Sequence, residues 1–172
     1  MSTLSVDTLQ GQTTAGTLKL PAGNIIQSEF LYITDSTIID TQNTFTDIGG
    51  ASLTITPKFS NSKIIIETFH QVYLGNNVSA NTWCSCTLRI LRGSTVITAP
   101  DLHTNDYFAA SYGGDNYRQM AYNMLSRDDT PNTTSATTYK VQANFRYGWD
   151  SNASIYLNRY GRGMLKITEI SV

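Results

Sequence analysis

Charge is scarce in this sequence. Lys, Arg, Asp and Glu together make up only 15% of its 172 residues, the formal net charge is −1, and no run of Lys or Arg reaches three. Nucleic acid and anionic membranes are held by clustered basic side chains, so neither partner is expected. Long apolar runs are missing too. Stretches such as Ile64-Ile65-Ile66 fall far short of the roughly 18 residues that a membrane span needs. No basic start followed by an apolar stretch opens the chain, which reads as soluble and unprocessed, with no membrane insertion.

Histidine and cysteine are equally sparse. The two cysteines, Cys84 and Cys86, lie in Trp83-Cys84-Ser85-Cys86-Thr87-Leu88-Arg89-Ile90. On a strand, residues two apart point the same way with nearly parallel Cβ vectors, a poor geometry for bridging each other. They are expected as buried thiols, because a C-x-C pair alone lacks the further ligands of a zinc site. The absence of a disulfide framework suits assembly in a reducing cytoplasm. His70 sits in an apolar strand, where an imidazole satisfied by a neighbouring backbone or hydroxyl group is expected rather than a general base. Asp101, His103 and Asp106 offer oxygen and nitrogen ligands after Pro100 but no fourth partner, and no metal or other cofactor is expected.

Catalytic motifs are absent as well. The glycines of Tyr112-Gly113-Gly114-Asp115 and Tyr160-Gly161-Arg162-Gly163 lack the strand and helix context that cradles phosphate. The paired carboxylates Asp128-Asp129, beside Pro131, read as solvated loop charge, which disfavours a glycosidase. An enzyme is not expected. Three Asn-x-Ser/Thr triplets, at Asn77, Asn132 and Asn152, fall in turn-like stretches and are attributed to the abundance of Asn, Ser and Thr.

What the chain does contain is Thr, Ser and Asn with ten Tyr. Branched and aromatic side chains fit a pleated surface, and Asn, Ser and Gly make its turns. The fold class expected is all-β: an antiparallel, jelly-roll-like β-sandwich over residues 28–172, preceded by an extended segment over residues 1–27. In that segment Leu4, Val6, Leu9, Leu18 and Leu20 are scattered among small polar residues, Gly11 and Gly16 interrupt any helix, and Pro21-Ala22-Gly23 marks a turn. A lone chain gives these apolar groups nothing to bury against, which makes them candidates for attachment or oligomerisation.

Strand signals then follow one another. Ser28 to Thr34 carries Phe30, Tyr32 and Ile33; Leu53-Thr54-Ile55-Thr56 alternates and stops at Pro57; Lys63 to Leu74 is longer and more continuously apolar, as a central strand is. Cys84 to Ile90 turns through Arg92-Gly93-Ser94 into Thr95-Val96-Ile97, a hairpin signature. Tyr139 to Tyr147 has the cleanest period of two, Ser154 to Asn158 follows, and Met164 to Val172 closes the chain. Residues 116–127 are ambiguous. Tyr117, Met120, Ala121, Met124 and Leu125 fall at helical spacing, while the abrupt Asp128-Asp129-Thr130-Pro131 stop before a strong strand favours a hairpin arm.

Tyr107, Phe108, Tyr112, Tyr117 and Tyr122 stand among Asn105, Asp106, Asp115 and Asn116. Flat apolar faces beside short hydrogen-bonding groups suit recognition of protein or sugar; the same aromatics also suit a sandwich core, and both readings stand.

The opening Met1-Ser2-Thr3-Leu4-Ser5-Val6-Asp7-Thr8-Leu9-Gln10 and Gly16-Thr17-Leu18-Lys19-Leu20-Pro21-Ala22-Gly23 resemble the start of small tail-fibre-like virion proteins of marine tailed phages, cyanophages especially. Phe59-Ser60-Asn61-Ser62-Lys63-Ile64, Leu91-Arg92-Gly93-Ser94-Thr95, Thr130-Pro131-Asn132-Thr133-Thr134 and Leu165-Lys166-Ile167-Thr168-Glu169-Ile170 extend the resemblance along nearly the whole chain, leaving residues 103–118 unmatched. It implies a sandwich of tumour-necrosis-factor-like or C1q-like look, a form that commonly assembles as a homotrimer. It also implies a virion protein: a fibre or appendage knob anchored to other virion proteins by its N-terminal segment and contacting a host surface glycan or protein. A capsid decoration protein and a lectin-like carbohydrate-binding domain are the alternatives.

Overall fold

A computed structural model of the chain describes residues 21–75, 83–98, 106–109, 120–146, 154–159 and 163–172. Its strands are β1 (Ile25–Ile33), β2 (Thr37–Ile39), β3 (Phe45–Ile55), β4 (Lys63–Gly75), β5 (Trp83–Arg92), β6 (Thr95–Val96), β7 (Asp106–Ala109), β8 (Met120–Asp129), β9 (Thr137–Arg146), β10 (Ser154–Leu157) and β11 (Gly163–Ile170). Their ladders are antiparallel and form two sheets packed face to face. The chain is an all-β sandwich.

In sheet A, β4 is central. It pairs with β8 along one side and with β11 and then β10 along the other, and β1 and β2 flank β11 and β10. Sheet B runs β3-β9-β5, with β6 and β7 sharing the far side of β5. The chain passes from sheet to sheet at β2–β3, β3–β4, β4–β5, β7–β8, β8–β9 and β9–β10. Such crossing, rather than a meander within one sheet, is the jelly-roll way of packing two sheets.

The core follows from period-two alternation. Ile64, Ile66 and Val72 of β4, Leu165 and Ile167 of β11 and Ile155 and Leu157 of β10 meet Cys86, Leu88 and Ile90 of β5 and Tyr139, Val141 and Phe145 of β9, all buried. Fully burying each such aliphatic side chain contributes about 1.5–3 kcal/mol. Cys86 is buried, as expected. Gly93, at φ +58, makes the β5–β6 turn, and its N–H is held by the carbonyl of Thr138 at 2.9 Å.

Residues 120–129 form a strand bonded along its length to β4, the hairpin arm that the abrupt Asp128-Asp129-Thr130-Pro131 stop favoured over the helical spacing. Two findings differ from the reading of the sequence. Asp128 and Asp129 close that strand rather than occupying a loop. Finally, β1 starts at Ile25, and the turn before it is bound to the chain's last strand region: Gly23 N–H donates to the Ser171 carbonyl at 2.8 Å, and Ser171 N–H donates to the Asn24 carbonyl at 2.9 Å. Residues 23–27 thus join the sandwich.

Candidate functional site

Of the five aromatics singled out for recognition, Tyr122 is the one whose side chain is described: it lies on β8, on the face of sheet A away from the core. Tyr107 and Phe108 belong to β7, paired with Ser85 and Cys84 of β5, and only their backbone is described. Tyr112 and Tyr117 lie outside the described residues, as do Leu4, Val6, Leu9, Leu18, Leu20, Asp101 and His103. Among the described residues, no three His, Cys, Asp or Glu side chains group together.

The buried polar groups act as internal locks. His70 is buried on β4, with Nε2 at 2.8 Å from Thr68 Oγ1. That hydroxyl spends its proton on the Met164 carbonyl, 2.9 Å away, and therefore accepts from Nε2–H. Nδ1 is left to accept from the Asn158 side-chain amide at 3.2 Å. The Asn158 amide oxygen in turn takes Gln71 N–H at 3.2 Å, and Asn158 N–H donates to the Gln71 carbonyl at 2.8 Å. Burial brings the imidazole down to about 4, so the ring is neutral. The sequence reading of a hydroxyl-satisfied imidazole holds.

Glu169 was not singled out from the sequence. It is fully buried; Oε1 accepts the Lys58 N–H at 2.8 Å and the Phe59 N–H at 3.3 Å, and Oε2 accepts Gln27 Nε2 at 2.6 Å. The carboxylate pins the β3–β4 turn and β1 to β11. Its signal was in the alternation, since Glu169 shares the inward phase of Leu165 and Ile167. A third lock joins the sheets. Arg92 Nη1 of β5 reaches both oxygens of Asp129 on β8 at 3.0 and 2.9 Å, and Tyr139 of β9 donates its hydroxyl to Asp129 Oδ2 at 2.8 Å. Burial and then the Asp129 carboxylate push the Tyr139 phenol far above its usual range.

The outward face of sheet A has a different character. Strand register lines up Tyr32 of β1, Met164 of β11, Phe69 of β4 and Met124 of β8 as one row across four strands. Tyr32 is 63% exposed and Met124 is 67% exposed, so the row ends in open solvent on both sides. Phe30 packs edge-on against Tyr32 with centroids 4.5 Å apart, and Tyr122 stacks on Phe69 at 5.2 Å. A neighbouring row carries Ile38, Tyr156 and Tyr73. Two charge pairs are interleaved here, Lys166 with Glu67 at 3.1 Å and Lys63 with Asp128 at 3.0 Å, and the Arg159 guanidinium lies over the Tyr156 ring at 4.4 Å. A surface of flat aromatics, thioethers and cancelled charge is suited to contact with another apolar surface.

No protein-family model and no curated protein matches the sequence. Among solved structures, the chain is similar to one of the infectious bursal disease virus Gt strain, at 10% identity and a TM-score of 0.38, over 100% of this chain and 43% of that one. It is similar to dimeric latent PorU from Porphyromonas gingivalis at 11% identity and a TM-score of 0.36, over 94% of this chain and 14% of that one. It is also similar to the CBM22-1 xylan-binding domain of Paenibacillus barcinonensis Xyn10C at 12% identity and a TM-score of 0.32, over 89% of this chain and 99% of that one. The chain spans less than half the length of the first two, and none of these likenesses identifies a family or a function.

Proposed function

We propose that this chain is a non-enzymatic structural protein of a tailed-phage particle, a homotrimeric fibre or appendage knob in which residues 1–20 anchor a β-sandwich that projects outward. The observation that carries the proposal is the division of labour in the sandwich. Its buried His70 and Glu169 and its half-buried Asp129 are engaged in holding strands together, while its outward sheet face carries exposed aromatic and methionine side chains beside paired charges. A chain organised this way is built for assembly. The resemblance of its opening residues and turns to phage virion proteins supports the choice of particle, and the scattered leucines of the first twenty residues gain a burial partner once several copies are brought together.

Imaging intact particles that carry a label on the C-terminal end tests the proposal. Density at the tail is expected. Density on the head at symmetry axes would replace the fibre knob with a capsid decoration protein, and particles without any label would overturn the virion assignment.

A further inference from the structure

We infer that the outward face of sheet A is the surface through which copies of this chain meet. The inference deepens the proposed trimer, on which it rests, by naming the face that is buried. Tyr32, Met164, Phe69 and Met124 form a row spanning β1, β11, β4 and β8, and Phe30 and Tyr122 widen it on either side.

Size and charge both favour a second copy as the occupant. Four strands about 4.8 Å apart, each with about ten residues at about 3.3 Å, give a face on the order of 600 Å2 before side-chain relief is counted. A standard interface buries roughly 800 Å2 on each partner. The face is thus close to what one stable contact needs. Because Lys166 pairs with Glu67 and Lys63 with Asp128 within it, the face brings no net charge against the two neighbouring copies that share a three-fold axis with it. A partner of strong opposite charge would find nothing complementary here. Aromatic and methionine side chains are also the types enriched where interfaces are driest.

The test is the mass of the purified full chain by light scattering, for the natural sequence and for Tyr32→Glu, Met124→Glu and the control Val96→Glu. Val96 is exposed but belongs to sheet B. The natural chain and V96E are expected at three times the 19.0 kDa chain mass. Y32E and M124E are expected to lose at least tenfold in association while keeping the same far-ultraviolet circular dichroism. If either glutamate variant unfolds, the double variant Tyr32→Ser with Met124→Ser makes the same measurement. Face variants that stay trimeric would overturn the inference and leave the trimer standing. A natural chain that is monomeric would overturn it as well, and would assign the face to the chain's own N-terminal residues if Tyr32 and Met124 were nevertheless protected. Face-dependent trimers that never enter particles would uphold the inference and refute the virion assignment.

Discussion

The side-chain amide of Asn158 donates to Nδ1 of His70 across 3.2 Å. This bond reaches from the end of β10 into the middle of β4, and it exists only while the imidazole is neutral, because a protonated ring carries hydrogen on both nitrogens. Burial keeps the ring neutral down to about 4, against 6.5 for an ordinary histidine. Between those values the unfolded chain takes up a proton that the folded chain refuses. Stability is therefore whole above about pH 6.5 and falls as the pH drops through the window, by roughly 3 kcal/mol in all at about 1.36 kcal/mol per unit. Urea unfolding at about pH 7.5 and about pH 4.5 checks this. The natural chain should lose more stability than His70→Gln, and equal losses in the two would remove His70 as the cause.

Gly163 gives the same amide its space. A Cβ at this position would lie 2.8 Å from both Asn158 Nδ2 and Oδ1, and the amide is fixed by Gln71 and His70, so it has little freedom to move aside. Gly163→Ala is expected to cost about 1–3 kcal/mol, as overpacking typically does. A thermal midpoint equal to that of the natural chain would contradict it.

Asp129 ties β8 to the other sheet through Arg92 and Tyr139 together. Tyr139→Phe is expected to cost about 1–2 kcal/mol by leaving a carboxylate oxygen short of a donor. Arg92→Ala combined with Tyr139→Phe should depart from additivity, since both partners act on one carboxylate. Additive losses in denaturant unfolding would show that the two act separately.

How far the sequence could be read depended on whether the two faces of a strand differ. From Tyr139 to Phe145 the inward residues are apolar and the outward ones polar, so the strand, its phase and its core residues were all legible. On β8 the outward positions hold Tyr122 and Met124 while the inward ones hold Asn123 and Leu125. Apolar residues on both faces erase the period of two and leave a pattern that reads equally as helix. The outward face of sheet A escaped notice for the same reason: Phe30 and Tyr32 alternate with Leu31 and Ile33, and the sequence does not tell which pair faces the core. Gly49-Gly50 hid the first half of β3, because a glycine pair reads as a break. Here it lies in an irregularity between Asp47 and Ser52, with Gly50 at φ +71 and Gly49 N–H held by the Thr37 hydroxyl at 2.7 Å.

Removal of residues 1–20 separates anchoring from folding. The turn at residues 21–24 is bonded to Ser171 and stays with the sandwich. The shortened chain is expected to keep its β-sheet circular dichroism and cooperative unfolding while being lost from particles. Normal incorporation of the shortened chain would refute the anchoring role.

The burial of the sheet A face is read most directly by hydroxyl-radical footprinting of the intact full chain, comparing the oxidation rates of Tyr32 and Met124 with that of Val96 on the opposite sheet. In a single copy Met124 is 67% exposed and Val96 is 42% exposed. Copies meeting through this face predict Tyr32 and Met124 oxidised several-fold more slowly than these exposures dictate, with Val96 unprotected. Met124 reacting at the full rate of an exposed methionine would contradict that assembly.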